Sequence, residues 1–185
     1  MGRDKGSLPF GDEVLLQRVV RIVGTVAAPL VVVAASDQEL PLLPEGVTVV
    51  RDSVVGRGPL QGIADGLRAV SPHAETAYVS SCDAPLLTPA FVRAVADRLG
   101  DHEIAVPVAD GFHHTLAAVY RTSVLAHVDA LLADDRLRPF FLFERARTRE
   151  IPESELRAAD PQLNSLRNMN TPQDYEAILG ELGLK

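Results

Sequence analysis

Residues 47–70 read VTVVRDSVVGRGPLQGIADGLRAV, a strand-like run followed by a loop and a helix-like run. Val47–Arg51 is short and β-branched and lacks the alternation of a half-exposed strand, which favours a strand covered on both faces. Gly58 and Pro59 are predicted to begin a helix that continues to Val70. Proline is favoured in the first helical turn, because an N–H at that position would have no hydrogen-bond partner within the helix. A strand, a loop and a helix in this order form the repeating unit of an α/β fold.

The same alternation extends along the chain in both directions. Upstream, apolar spacing predicts a helix over residues 13–26, and residues 30–35 form a second covered strand. Downstream, we predict strands over 78–81, 104–108 and 115–120, and helices from Thr88–Pro89, over 122–133, around 140–145 and from Thr171–Pro172 to Gly180. Spacing leaves open whether the strands 104–108 and 115–120 form a hairpin or are joined by a crossover. The pattern predicts an α/β fold with helices on both faces of a mostly parallel sheet.

The composition is that of one globular domain over residues 1–185. The chain has a mass of 19.9 kDa, with 46% hydrophobic and 23% charged residues. Its net charge of −7 and the lack of a basic stretch argue against a nucleic acid partner. The longest apolar run, residues 27–35, is too short to span a membrane.

Cys82 is the single cysteine and is expected to be a small buried side chain without a nucleophilic role. A single cysteine cannot form an internal disulfide, so we expect a cytoplasmic protein.

Charged residues follow two of the predicted strands, where ligands of α/β sheets bind. Asp52 follows the strand 47–51, and Asp83 follows the strand 78–81. The carboxylate of Asp83 could bind a hard cation whose other ligands are phosphate oxygens. An aspartate near a proline is, however, more often only a turn residue. Lys5 suits a phosphate, although a lysine near a chain start is usually a solvated surface residue.

Three further segments carry weaker candidates. His113 lies in a loop and is either a contact to a polar ligand or a solvated side chain. Arg136 and Arg138 suit an anion, but arginines beside acidic residues more often form surface ion pairs. Asn168 and Asn170 precede a helix cap and are equally compatible with a turn and with a ligand contact.

Taken in order, these segments resemble the molybdenum cofactor guanylyltransferase family of nucleotidyltransferases. Single motifs are weak, but five in the right order are specific, and the resemblance covers essentially the whole chain. It implies a three-layer α/β/α, Rossmann-like fold. The motifs that carry it are Met1-Gly2-Arg3-Asp4-Lys5, Asp52-Ser53 with Gly58-Pro59-Leu60-Gln61-Gly62, Cys82-Asp83-Ala84-Pro85, His113 before Thr115, and Asn168-Met169-Asn170-Thr171-Pro172.

The resemblance implies transfer of GMP from Mg-GTP to molybdenum-molybdopterin, which forms the guanine dinucleotide cofactor and releases pyrophosphate. Lys5 would hold the nucleotide phosphates, Asp83 would hold the Mg²⁺ cofactor, and Asp52 would also bind the nucleotide. The residues expected to face the pterin substrate are Asn168, Asn170, His113 and Arg138, together with Arg136. GTP and molybdopterin are the expected partners of a monomer, and molybdoenzymes or other cofactor-biosynthesis proteins are the candidate protein partners.

The chain departs from the family pattern at two places. The family opens with a strand and the loop L-A-G-G-x-S-x-R, whereas this sequence begins at the Met of the motif, so we expect an N-terminally incomplete domain. The family also often has a nucleotide-contacting asparagine after its second strand, whereas residues 31–36 here read Val-Val-Val-Ala-Ala-Ser, and the nearby Ser36, Asp37 and Gln38 are the candidates to replace it. Two alternatives remain open. One is a related nucleotidyltransferase that uses CTP for a molybdopterin or another small phosphorylated acceptor, and the other is a non-catalytic protein that keeps the scaffold and binds the cofactor or a partner without turnover.

Overall fold

The protein is described by a computed structural model that covers residues 4–184. The strands are β1 (Pro9–Phe10), β2 (Glu13–Val14), β3 (Leu30–Ala34), β4 (Val47–Arg51), β5 (Thr76–Ser80), β6 (Ile104–Ala109), β7 (Phe112–His113), β8 (Ala117–Arg121) and β9 (Thr148–Pro152). The α-helices are α1 (Leu15–Gly24), α2 (Gly58–Val70), α3 (Pro89–Ala96), α4 (Leu125–Ala133), α5 (Glu153–Leu156) and α6 (Pro172–Glu181). Short 3-10 helices cover Lys5–Ser7, Thr122–Val124, Pro139–Glu144 and Asn164–Leu166. Within the described residues, no helix is both long and apolar enough to cross a bilayer.

The predicted first helix begins later than its apolar spacing indicated. Val14 is extended and belongs to the short antiparallel pair β1–β2, so α1 starts at Leu15. The side chain of Gln17 accepts a hydrogen bond from the Val14 N–H at 3.0 Å, which satisfies one of the free amides at this helix end. The residues Met1, Gly2 and Arg3 of the first motif lie outside the described part of the chain.

The strands confirm an α/β fold, and their directions are more mixed than the sequence pattern indicated. β3 and β4 are parallel, and so are β6 and β9. β8, however, pairs antiparallel with both β5 and β6, and β7 forms a short antiparallel pair with β6. The reason is the length of the connection after β6, because residues 110–116 are too few for the helical crossover that a parallel neighbour needs.

Two apolar clusters cover the two faces of the five-stranded sheet and produce three layers. One cluster joins α1 and α3 to the sheet, with Phe91 and Ile151 fully buried in it. The other joins α2 and α4 to the opposite face, around the fully buried Leu60, Tyr120 and Leu131. The sheet is therefore sandwiched between helices, as in Rossmann-like folds.

A large cavity separates the two-stranded sheet β3–β4 from the five-stranded sheet. Within residues 4–184, β3 pairs only with β4 and β5 pairs only with β8, so each has one free edge. The cavity of about 810 Å³ lies between these edges, and its other walls are the apolar faces of α1 and α2. Consecutive residues of both strands line it, from Leu30 to Ala35 and from Thr76 to Cys82, as expected of strand edges rather than strand faces. We call this cavity the strand slot.

Candidate active site

Lys5, Asp83 and Asn170 are in direct contact, although they are far apart in the sequence. The Lys5 Nζ lies 2.8 Å from Asp83 Oδ2 and donates a second hydrogen bond to Asn170 Oδ1 at 3.0 Å. Asp83 follows β5, and Asn170 precedes α6. The backbone fixes their spacing, because the Met169 N–H donates to the Asp83 carbonyl at 2.9 Å. We call these three side chains the lysine cluster.

Asp83 keeps one carboxylate oxygen without a partner. Its side chain is only 14% exposed, and its Oδ1 is buried with no hydrogen-bond partner among the described residues. Within the same part of the chain, no group of three or more acidic, histidine or cysteine side chains could by itself hold a metal ion. A free buried carboxylate oxygen fits a Mg²⁺ ion that takes its other ligands from phosphates and water, which is the usual way proteins bind this ion.

Asp4 and Gln38 join the chain start to the end of β3. The Gln38 Nε2 donates to Asp4 Oδ1 at 2.9 Å, and the Gln38 Oε1 accepts the Ala35 N–H at 3.2 Å. Lys5 makes the equivalent link to Asp83, which lies three residues after the end of β5. The carboxyl ends of β3 and β5 therefore open on the same side of the strand slot, which means that the two strands run in the same direction.

Asp52 lies at the mouth of the strand slot, directly after β4. Burial, together with the nearby negative charge of Asp65, holds the pKa of the Asp52 carboxyl above its ordinary value. Its backbone N–H donates to the Ala34 carbonyl at 2.9 Å, which extends the β3–β4 pairing to the site.

Asp65 anchors the loop that follows Asp52. The Asp65 carboxylate is 5% exposed and accepts hydrogen bonds from the Ser53 N–H at 2.9 Å, the Ser53 hydroxyl, the Gln61 amide at 3.0 Å and Arg68 at 3.0 Å. Burial raises the pKa of this carboxyl, but these donors outweigh the effect and leave the pKa below its ordinary value. Sequence reasoning did not identify Asp65, although the i,i+4 spacing of Gln61 and Asp65 on a helix was an available signal.

The remaining candidates occupy three different surroundings. Asn168 and His113 line one small cavity of about 170 Å³, which we call the inner pocket. The His113 Nε2 lies 2.7 Å from Glu150 Oε1, and the Phe140 and Phe143 rings lie 5.6 and 5.0 Å from the imidazole. Arg138 is exposed at the start of the 3-10 helix Pro139–Glu144.

Arg136 and Cys82 were also singled out in the sequence, and the structure places their side chains in different surroundings. Arg136 donates to Glu144 at 3.0 Å and stacks over the Phe141 ring, so it forms a surface ion pair, although not with an acidic residue adjacent to it in the sequence. Burial raises the pKa of the Cys82 thiol to about 11, because the thiolate would lose hydration beside the negative charges of Asp83 and Asp4. This environment agrees with the absence of a nucleophilic role.

The fold and the charged residues beyond its strand ends define the class of Rossmann-like, nucleotide-binding α/β proteins. Residues 1–149 match the family described as the MobA-like NTP transferase domain. The chain belongs to this family, and it is a nucleotidyltransferase.

Curated relatives carry a more specific name. The chain is 38% identical over 184 residues to a "Probable molybdenum cofactor guanylyltransferase" from Mycobacterium ulcerans, which covers 96% of this chain and 86% of that protein. A protein of the same name from Mycobacterium tuberculosis is 42% identical over 137 residues, covering 71% of this chain and 67% of that protein. Another, from Carboxydothermus hydrogenoformans, is 30% identical over 185 residues, covering 100% and 91%.

Solved structures share the fold. Molybdopterin-guanine dinucleotide biosynthesis protein A from Archaeoglobus fulgidus superposes with a TM-score of 0.79 at 21% identity, covering 98% of this chain and 92% of that one. 2-C-methyl-D-erythritol 4-phosphate cytidylyltransferase from Thermus thermophilus gives a TM-score of 0.72 at 16% identity, covering 97% and 94%. These likenesses confirm the nucleotidyltransferase fold.

Proposed function

We propose that the protein transfers GMP from Mg-GTP to the terminal phosphate of molybdenum-molybdopterin, forming the guanine dinucleotide cofactor and releasing pyrophosphate. The lysine cluster is the observation that carries this proposal. It combines a cation, a buried carboxylate and an amide at the carboxyl ends of the strands, where nucleotides bind in Rossmann-like folds. The names of the curated relatives supply the substrate class.

Lys5 is proposed to hold the nucleotide phosphates. An attacking phosphate and an α-phosphate are both anions, so catalysis depends on positioning and charge neutralisation. A lysine ammonium has three donors, and Asp83 and Asn170 accept two of them. One N–H therefore remains for a phosphate oxygen, while the other two fix the direction in which it points.

Asp83 is proposed to hold Mg²⁺ through its free Oδ1. When bound, the ion would neutralise phosphate charge and orient the triphosphate for attack. The Lys5 contact to Oδ2 keeps the carboxylate in place and leaves the other oxygen available.

Asp52 and the loop anchored by Asp65 are proposed to bind the nucleoside part of GTP. The raised pKa of Asp52 reflects a partly desolvated carboxylate at the slot mouth, which is suited to accepting hydrogen bonds from a ligand. Gln38 is already committed to Asp4 and Ala35, so of the residues that replace the family asparagine, Ser36 and Asp37 are the better candidates for contact with the base.

Asn168, Asn170, His113 and Arg138 are proposed to face the pterin substrate. Asn168 and His113 share the inner pocket, and Asn170 lies beside Lys5, where the reacting phosphates would meet. A pterin in this region would place its phosphate toward the lysine cluster. Arg138, with an exposed guanidinium, is proposed to contact an outer anionic group of the same substrate.

A calorimetric titration with GTP and with CTP, each with and without Mg²⁺, tests the nucleotide proposal. We expect Mg²⁺-dependent GTP binding that Lys5→Ala weakens tenfold or more, since a charge-assisted contact contributes on the order of 1.5–3 kcal/mol. Arg93→Ala is the matched control, because it removes one positive charge from an exposed position of α3. Preferential binding of CTP would replace the guanylyl proposal with the cytidylyl alternative. Absence of nucleotide binding would favour a non-catalytic scaffold.

We further propose that residues 1–185 belong to a single nucleotidyltransferase domain that accepts one more strand in the strand slot. The free edges of β3 and β5 present unpaired backbone groups to an apolar cavity, an arrangement that is unfavourable unless another strand pairs with them. One residue of a β-strand occupies roughly 160 Å³, which is the product of the distance between strands, the distance between layers and the rise per residue. The cavity therefore has room for about five residues of an added strand. Both bordering strands are five residues long.

Thermal unfolding of extended chains tests this strand. The chain would be compared with one lengthened by the residues encoded immediately upstream and with one lengthened equally by Gly and Ser. The encoded extension is expected to raise the midpoint by roughly 10 °C, through the apolar area that it buries. Equal midpoints for the two extensions would reject the proposed strand.

A further inference from the structure

The inner pocket lies beside the lysine cluster and is unusually rich in polar side chains. It is bordered by the end of β5, the start of β8 and residues 165–168. The residues with hydrogen-bonding side chains that line it are Tyr78, Ser80, His113, His114, Thr115, Ser165 and Asn168. Converging polar side chains in a concave site are the groups that fix the orientation of a bound ligand and give specificity.

Tyr78 supplies the most informative of these groups. Its hydroxyl is buried and has no hydrogen-bond partner among residues 4–184. The hydroxyl of Tyr120, which is also buried, donates to the Thr115 carbonyl at 2.8 Å. Tyr78 borders both the inner pocket and the strand slot. Buried hydroxyl groups are normally paired, so its hydroxyl indicates a partner from outside the described residues, and the other polar side chains converge on the inner pocket.

The protonation states in the pocket favour recognition of a neutral polar ring. Burial raises the pKa of the Tyr78 phenol, which keeps it protonated and able to donate. Burial also lowers the pKa of His114, so this imidazole is neutral near pH 7 and offers one donor and one acceptor.

The size of the pocket limits what it can take. A cavity of about 150 Å³ is known to hold one benzene ring, and the inner pocket measures about 170 Å³. It therefore suits one six-membered ring with hydrogen-bonding groups on its edge. Asn168 lines the pocket, and Asn170, two residues further on, contacts Lys5, so one ligand could reach both places.

We propose that the inner pocket is the subsite for the pyrimidinone ring of the acceptor pterin, with the Tyr78 hydroxyl donating a hydrogen bond to the edge of that ring. This inference rests on the proposed function and adds a specificity-determining residue to it. The ring would lie beside the end of β5, against residues 113–116 and residues 165–168, and the acceptor phosphate would remain at the lysine cluster.

Tyr78→Phe tests the subsite, because it removes only the unpaired oxygen. The probe is a fluorescence titration with 6-carboxypterin, accompanied by calorimetry with Mg-GTP. We expect pterin affinity to fall about fivefold to tenfold, as for loss of one hydrogen bond, with unchanged GTP affinity. The thermal midpoint should be unchanged or higher, since no bond of the ligand-free protein is lost.

Two matched variants separate this role from a structural one. Tyr120→Phe removes a paired hydroxyl and is expected to lower the thermal midpoint. Tyr175→Phe removes a hydroxyl that donates to the Pro9 carbonyl at 2.6 Å, away from the pocket, and should leave pterin affinity unchanged.

Each remaining outcome overturns the inference in a distinguishable way. Equal pterin affinity in wild type and Tyr78→Phe would mean that the Tyr78 hydroxyl does not bind the ring, which overturns the inference while the proposed function stands. Binding of GTP without any binding of 6-carboxypterin would reject the ring subsite. If the protein binds neither GTP nor 6-carboxypterin, the proposed function fails together with the subsite.

Discussion

Replacing Asp65 by asparagine is expected to destabilise the protein by about 2 kcal/mol. Both oxygens of the Asp65 carboxylate face donors: the Oδ1 faces Arg68 and the Ser53 hydroxyl, and the Oδ2 faces the Ser53 N–H and the Gln61 amide. In either orientation, the NH₂ of asparagine would meet at least one of these donors. Hydrogen bonds to a charged group contribute on the order of 1.5–3 kcal/mol, and the site is too buried for water to replace the lost bond.

Urea unfolding at pH 7 measures this effect. A loss of about 2 kcal/mol should lower the urea midpoint at an unchanged m-value and lower the thermal midpoint by roughly 4–8 °C. Asp129→Asn is the matched control, because Asp129 also pairs with Arg68 but is 53% exposed. Ion pairs that exposed contribute about 0–1 kcal/mol.

The pH dependence provides a second check on the same residue. The pKa of Asp65 is lowered in the folded protein, so its contribution is fully present above the unfolded value of about 3.9 and is lost as the pH falls through the folded pKa. The difference between wild type and Asp65→Asn should therefore shrink below about pH 4. A difference under about 0.5 kcal/mol at pH 7, or one independent of pH, would refute the reasoning.

Three further properties follow from the described contacts. Cys82 should react with iodoacetamide about a hundredfold more slowly than an unperturbed thiol at pH 8, because its pKa is raised to about 11; a rate like that of free cysteine would contradict this. Thr171→Ala should cost about 1 kcal/mol in urea unfolding, since the Thr171 side chain accepts the Asp174 N–H at 3.1 Å as the cap of α6, and no loss would show that the cap is dispensable. The imidazole of His114 should titrate below 6.5 by NMR, because burial disfavours its charged form, and a value above about 7 would contradict the neutral imidazole on which the description of the inner pocket rests.

Much of the secondary structure could be predicted from local sequence. The strands at 30–34 and 47–51 and the helix 58–70 appear almost as expected, because β-branched runs and the Gly-Pro helix start are local signals. Strand direction is different, since it depends on the length of the connection between neighbours. The antiparallel pairing of β6 and β8 was therefore left open by the sequence.

The candidate site could be predicted in composition but not in its contacts. Lys5 and Asn170 are 165 residues apart, and their hydrogen bond exists because the Met169 N–H binds the Asp83 carbonyl and places the segment beside β5. Residue type can suggest a cation and a carboxylate for phosphate chemistry. Only the tertiary structure shows that one carboxylate oxygen is occupied by Lys5 and that the other is free.

Tyr78 shows why some functional residues escape sequence reasoning. In the run Thr76–Ser80 a tyrosine reads as an ordinary strand residue that packs on the core, and it does pack against the cluster on the α3 side. What distinguishes it is the lack of a partner for its hydroxyl among the described residues, which depends on neighbours from β8 and from residues 165–168. The same atom in Tyr120 is satisfied by a backbone carbonyl, so the two tyrosines differ by environment and not by sequence. For this reason a single-oxygen substitution, which leaves the packing unchanged, is the appropriate test of whether position 78 recognises a ligand.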